Sequence, residues 1–437
     1  MGAKMSKFRV QGESGSQDPL DVSAKAISQL IDRPIDSKTW RKNYRHVFAE
    51  LAELEYNRNN SDFFYEALTK LQNSIRDSDD HTPLESLNWY ADLVTTVRIT
   101  GAGKAKPFDF SDLPIGEWVS KGIAEPELIK VQRSGRVELP ADQVLFAVGA
   151  GAEYGPNREW IEIGGSFAAV MRPNFSKWSE LIRFTRESGG TLLVPVLNSK
   201  LVNCGENFLD DDEVLAEMAG LDAVTDLMAV SGWLRAVSDE YSQITLGLWG
   251  YAPGPKHLIL QACMDALADI AMQHLPQSQL TLSWLGTPTD SVMLNNNGRH
   301  TVVNAAVEMQ GPNYLWAKRS QRWRAEFAHQ QGYRTAYLVL PPAYTDSVLQ
   351  YNWLRIAYAG AETVGIFPFK IALARKTALA LLLWKLNQPT PSGQRFEVAD
   401  LAVSGGLWSL GPDPSQVWKW SVVVGLFKPW WRIKPGQ

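Results

Sequence analysis

Tyr314 and Lys318 stand four residues apart in the stretch NYLWAKRS. On a helix that spacing puts both side chains on one face. A lysine cation a few ångströms from a phenol favours the phenolate and can draw its pKa down by roughly 1 to 3 units. A tyrosine so placed can protonate a carbonyl oxygen that is receiving hydride, or remove the proton from an alcohol in the reverse direction. Of the 13 tyrosines, Tyr314 alone has Lys at this spacing. The motif is short enough to arise by chance, so its meaning depends on the elements that carry it.

The stretch LFAVGAGAEYGPNREW, from Leu145, suggests a second chemistry. Gly149, Gly151 and Gly155 give G-x-G-x-x-x-G between a short apolar run and a helical segment. One glycine would make a tight turn, one would let backbone approach a pyrophosphate, and one would let helix and strand pack closely. The next apolar run ends AAVMRPN, placing Arg172 about 20 residues past the loop, where dinucleotide folds read the ribose. An acid there selects NAD, whereas Arg172, with Lys177 nearby, favours the 2′-phosphate of NADP. The missing acid also disfavours an S-adenosylmethionine-dependent methyltransferase, the rival user of such a loop. Gly101 and Gly103 in RITGAGKAKPFDF imitate the motif, but Pro107 halts the helix that a phosphate site needs, so this reads as a loop.

These residues need a scaffold. From Asp142 onward, apolar runs (QVLFAV, GGSFAAVM, TLLVPV, QITLGLW, QLTLSWLG, YRTAYLVLPP) alternate with helical segments. That rhythm predicts an α/β fold, a doubly wound, Rossmann-like parallel sheet with helices on both faces. Tyr314 then falls on the helix after the fifth strand. The expected organisation is a flexible tail over 1–35, a helical region over 36–140, the dinucleotide-binding domain over 141–348, and a helical, Trp-rich cap over 349–437.

With these elements in place, the chain resembles the short-chain dehydrogenase/reductase superfamily over about half its length. The matching residues are VGAGAEYG at 148–155, Tyr314 and Lys318 in YLWAK, and LPPAYTDSV at 340–348. The resemblance implies that Tyr314 is the acid/base and that Lys318 tunes it and holds the nicotinamide ribose. Gly149, Gly151 and Gly155 would seat the pyrophosphate. Ala252, in LGLWGYAPG after the fourth strand, and Pro341, Pro342 and Thr345, after the sixth, would lie along the cofactor. The chain departs from the family in four places. The fourth strand runs LGLWGYAPG, where only Ala252 and Gly254, with a Pro between, suggest the family's Asn-Ala-Gly. The glycine spacing is G-x-G-x-x-x-G with Val148 in place of Thr. The asparagine of the helix after the fourth strand has no clear match. The serine is displaced, so that Thr287 or Thr289 would polarise the substrate oxygen, with Thr301 as an alternative. These departures keep a second reading open, a non-catalytic relative that binds a nucleotide or a partner chain.

Bulk properties narrow the field. The 437 residues are 45% hydrophobic and 21% charged, with net charge -4, so no global basic field draws the chain to nucleic acid. Two cysteines, Cys204 and Cys263, form neither a disulfide framework nor a metal spacing, and the six histidines form no HExxH. A cytoplasmic, reducing compartment is the simple expectation. His257 reads as a helix-surface histidine, although the start of its helix also borders the cleft. The 17 tryptophans fit core packing, with a hydrophobic or aromatic substrate as the sharper reading. The tail SGGLWSLGPDPSQVWKWSVVVGLFKPWWRIKPGQ mixes Trp with Lys and Arg. It fits docking on the protein's own core, cover for the cleft, or peripheral contact with a membrane. Assembly into an oligomer is left open.

Overall fold

The six predicted strand runs, rich in Val, Leu, Ile and Phe, form the centre of the molecule. The computed structural model describes residues 8–434 except 13–14, 17–18, 59–60, 73–74, 78–83, 85–92, 138, 141, 202–210, 297–298, 309 and 390–395. Cys204 lies outside the described residues. The sheet strands are β1 (Val94–Thr100), β2 (Gln143–Val148), β3 (Ser166–Val170), β4 (Thr191–Leu197), β5 (Gln243–Leu248), β6 (Leu280–Gly286) and β7 (Arg334–Val339). Their spatial order is β7-β6-β5-β2-β3-β4-β1. From β2 to β7 all pairings are parallel. The six parallel strands therefore run third-second-first-fourth-fifth-sixth, a doubly wound, Rossmann-like sheet.

Alternating side chains of each strand enter opposite layers. Val144, Phe146 and Val148 face one core with Trp233, Met264 and Ala325, whereas Leu145 and Ala147 face the other with Trp160, Leu181 and Leu382. The first layer is built by α6 (Leu227–Glu240), α7 (Lys256–His274) and α8 (Pro312–Gln330). The second holds α4 (Asn157–Glu162), α5 (Phe175–Glu187) and α10 (Ile371–Leu386).

Three expectations about organisation need correction. Residues 19–35 are not a flexible tail. Helix α1 (Pro19–Leu30) buries Leu20, Ile27 and Leu30 in a core shared with α2 (Ser37–Arg58), α3 (Ser61–Gln72) and the outer faces of α7 and α8. The sheet does not begin at 141, because β1 pairs antiparallel with β4, Val94 opposite Leu197. Nor is the whole of 349–437 a cap, since α10 is a buried helix of the sandwich. The segment after β6 forms a hairpin, Ser291–Asn296 with Arg299–Asn304, lying against α2.

The N-terminal helices are fixed to the sheet layers by buried charge. Arg319 donates to Asp290 at 2.6 and 3.1 Å and to Glu55 at 2.6 Å; Trp323 Nε1 also donates to Glu55 at 2.6 Å, and Arg322 pairs with Glu55. Glu55 comes from α2, Asp290 follows β6, and the arginines come from α8. Arg319 is fully buried, as is the Arg324–Asp265 pair nearby. Among the described residues no helix is long and apolar enough to cross a membrane.

Candidate active site

A doubly wound sheet opens a crevice where the strand order reverses. Here that point lies between the C-terminal ends of β2 and β5. β2 runs into the glycine turn, and its three glycines do different jobs. Gly149 has φ +90°, and a Cβ there would sit 2.4 Å from the Gly250 nitrogen, just past β5. It lets the two strand ends close up. Gly155 packs on Trp249, whose ring lies 3.0 Å from its Cβ position. Gly151 is exposed, with Lys177 Nζ 3.8 Å from its Cβ position. Among the described residues its N–H has no acceptor in the chain. Arg172 is exposed beyond the end of β3. The helix after the turn, α4, has six residues and no side-chain cap, so its dipole adds little.

The rest of the turn reaches across the crevice. The Tyr154 hydroxyl donates to the Pro341 carbonyl at 3.1 Å, and Glu153 accepts from the Asp346 N–H at 2.8 Å. The glycine turn is thereby tied to the loop after β7. Thr345 caps the short helix Asp346–Leu349 by accepting from Val348 N–H and is 2% exposed. The Pro342 carbonyl accepts from Phe369 N–H. The polar groups of this loop that were expected along a cofactor are engaged within the protein.

On the other side, the end of β6 and the start of α8 bring together hydroxyls, an amide and a phenol. Thr287 hydrogen-bonds Tyr314. Thr287 Oγ1 lies 2.7 Å from Thr289 Oγ1, which in turn accepts from the Gln310 amide. The amide nitrogen can only donate, its oxygen being turned to the Val307 N–H, so the hydroxyl protons are ordered toward the phenol. Both threonines are buried, while Tyr314 is partly buried. His257 opens α7 and is 1% exposed, so it is not a surface histidine. Its ring stacks on Tyr314 at 5.6 Å and 19°, and its Nδ1 accepts from the Ala252 N–H at 3.4 Å. Thr301 sits in the hairpin opposite Leu294 and takes no part in this run of hydroxyls.

Electrostatics reverse one expectation. Lys318 Nζ donates to the Leu285 carbonyl at 2.8 Å and to Gln321 at 3.2 Å, and lies 5.9 Å from the centre of the Tyr314 ring. Burial pulls it down to about 8. Burial pushes Tyr314 up to about 12, against the Thr287 hydrogen bond. Desolvation dominates, and the phenol holds its proton at neutral pH. His257, pushed down to about 3 by burial and by Lys318, is neutral.

Three buried polar atoms around the crevice have no partner among the described residues: His257 Nε2, Trp249 Nε1 and Asn157 Oδ1. Buried orphans of this kind are what a polar ligand would satisfy. With the open face of Gly151 and the Lys177 cation, they form a set of donors and one acceptor that fits a dinucleotide. Sequence reasoning missed Gln310, Tyr154 and Trp249 and misplaced His257. The position of His257 at the start of the helix after the fourth strand was the one usable signal.

No family model matches the chain, and no curated protein matches it. A matching solved structure is the terminal R domain from the myxalamid PKS-NRPS biosynthetic pathway. It is 10% identical, the match covers 60% of this chain and 68% of that one, and the TM-score is 0.30. So loose a likeness carries no argument, and the fold class rests on the strand order itself.

Proposed function

We propose that the chain is an NADP-dependent oxidoreductase of the short-chain dehydrogenase/reductase type, acting on the carbonyl of a hydrophobic or aromatic small molecule. The observation that carries this reading is the hydrogen-bonded run Gln310–Thr289–Thr287–Tyr314, ending on a partly buried phenol beside the switch-point crevice. A phenol held protonated suits a proton donor, which favours reduction over oxidation. Tyr314 would give its proton to the carbonyl oxygen. Thr287, with its own hydroxyl proton directed at the phenol, would stabilise the charge left on Tyr314. Lys318, held at the end of β6, would add a nearby cation, and His257 would fix the ring plane. The cofactor, when bound, would supply the hydride. Gly151 with Lys177 and Arg172 would hold its phosphates, and Trp249 and Asn157 would line its path.

A second reading, a non-catalytic nucleotide- or partner-binding relative, draws on Tyr154, which lies across the crevice to Pro341. One titration tests both. The purified protein is titrated with NADPH, NADH and S-adenosylmethionine, following fluorescence, as wild type, Gly151→Asp and Arg172→Ala. The proposal expects NADPH to bind more tightly than NADH, with affinity lost in Gly151→Asp and weakened in Arg172→Ala. Binding of S-adenosylmethionine alone would point to a methyltransferase, and binding of neither dinucleotide would sink the reductase reading.

A further inference from the structure

Helix α11 (Ser415–Gly425) is mounted on α9 (Asn352–Ala361) through an unusually close crossing. A Cβ on Gly360 would lie 1.9 Å from the Ser421 carbonyl oxygen, and one on Gly425 would lie 1.8 Å from that of Ile356. Ser421 and Gly425, four apart on α11, and Gly360 on α9 let the backbones touch. That contact fixes which side of α11 is covered. Trp418, Ser421 and Gly425 are buried, and Trp418 packs on Tyr358 at 5.8 Å. The opposite side carries Trp420 (63% exposed), Val423, Leu426 and Phe427 (88% exposed), and the turn after it adds Trp431.

The segment that carries this apolar face contributes charge of one sign. From Ser415 to Lys434 the chain has Lys419, Lys428, Arg432 and Lys434 and no carboxylate. The carboxylates on the segments beside it are Asp413, which accepts from Ser415 and pairs with Arg45 at 3.0 Å, Glu308, which pairs with Lys419 at 3.2 Å, and Glu362. Exposed aromatic side chains on a segment whose charges are all cations match an anionic interface, where Trp and Phe enter the headgroup boundary and Lys and Arg meet phosphate. A soluble partner of ordinary composition would not call for that cation excess. We propose that this face binds peripherally to membranes containing anionic phospholipid. The inference is independent of the proposed reaction. The two regions nonetheless share α9, whose Tyr358 is close enough to Tyr154 and Tyr314 to raise their common electrostatic cost of ionisation.

The test is co-sedimentation of the full chain with vesicles of phosphatidylcholine alone and of phosphatidylcholine mixed with phosphatidylglycerol, at low and high salt. Sedimentation with the mixed vesicles, reduced by salt, is expected. The triple variant Trp420→Ser, Phe427→Ser, Trp431→Ser should lose it, each residue contributing about tenfold. The double variant Arg432→Gln, Lys434→Gln should lower binding to the mixed vesicles about fivefold per cation and leave weak partition into the neutral ones unchanged. All five positions lie outside the core, and unchanged thermal melting verifies that the fold survives. Failure of the wild type to bind either vesicle would overturn the proposal, as would equal binding to both. So would a dimer in solution that the triple variant dissociates, which would make the face a contact between copies of the chain.

Discussion

On the β2 side of the crevice the functional groups are exposed: Gly151 open to solvent, with Lys177 beside it and Arg172 beyond β3. On the β6 side they are enclosed: Thr287, Thr289 and His257 are buried, and each hydrogen-bonds another group of the site. The first side can attract an anion but holds it loosely, because exposed cations are screened and α4 is too short to lend much dipole. The second side is preorganised and can direct a proton, because its donors are fixed before any substrate arrives. Binding and chemistry thus draw on different physical resources at the two lips of one cleft.

Replacing the phenol gives the largest expected effect. Tyr314→Phe should lower turnover of a carbonyl substrate about 10²- to 10⁴-fold and leave NADPH affinity intact. Initial rates set beside a binding titration check this, and a matching loss of affinity would erase the division of labour between the two sides. The enclosed side also depends on its backing. Glu55→Gln leaves Arg319 and Arg322 short of a buried counter-charge and should cost about 3 to 5 kcal/mol in urea denaturation. A loss no greater than that of an exposed pair would mean that the N-terminal helices are not structurally coupled to the site.

Lys318 gives a smaller effect with a definite sign. Its pKa falls from 10.5 when unfolded to about 8 in the fold, so the folded protein releases this proton first. Between about pH 8 and 10 the unfolded chain binds more protons, and stability rises with pH. The gain should be about 1 kcal/mol, since the side chain is only partly buried, and Lys318→Met should abolish it. Urea titrations of both proteins at the two ends of that window provide the measurement. The smallest change concerns the strap over the crevice. Tyr154→Ala removes one hydrogen bond, worth about 1 kcal/mol, that a dinucleotide would have to displace. NADPH affinity should improve about fivefold; an unchanged or weaker affinity would favour the non-catalytic reading.

The sheet was legible because its six parallel strands are buried on both faces and appear as uninterrupted apolar runs. β1 was not, because an edge strand alternates and its partner β4 is distant in sequence. Helix α1 reads as a tail in sequence because its polar residues mask Leu20, Ile27 and Leu30. Within the site, Tyr314 and Lys318 stand out by spacing, and the strand-end threonines by type. Gln310 and His257 reach Tyr314 only through the folding of a hairpin and the start of another helix, and no spacing rule contains them. The direction of the Tyr314 pKa was misread because helical spacing reports a neighbouring charge but not the water that burial removes.

The pairing of Val94 with Leu197 and of Glu55 with Arg319 has a consequence for biosynthesis. Both contacts join segments that are far apart in sequence. Until β4 emerges, β1 has no strand to join, and until α8 is complete Glu55 has no arginine. Long-range closure of this kind is the slow part of assembly. The nascent chain must therefore carry an unpaired strand edge until β4 is made, and an unmatched carboxylate for far longer, until α8 is made. Helix α2, simple in its local structure, thus waits on α8 for its buried counter-charge.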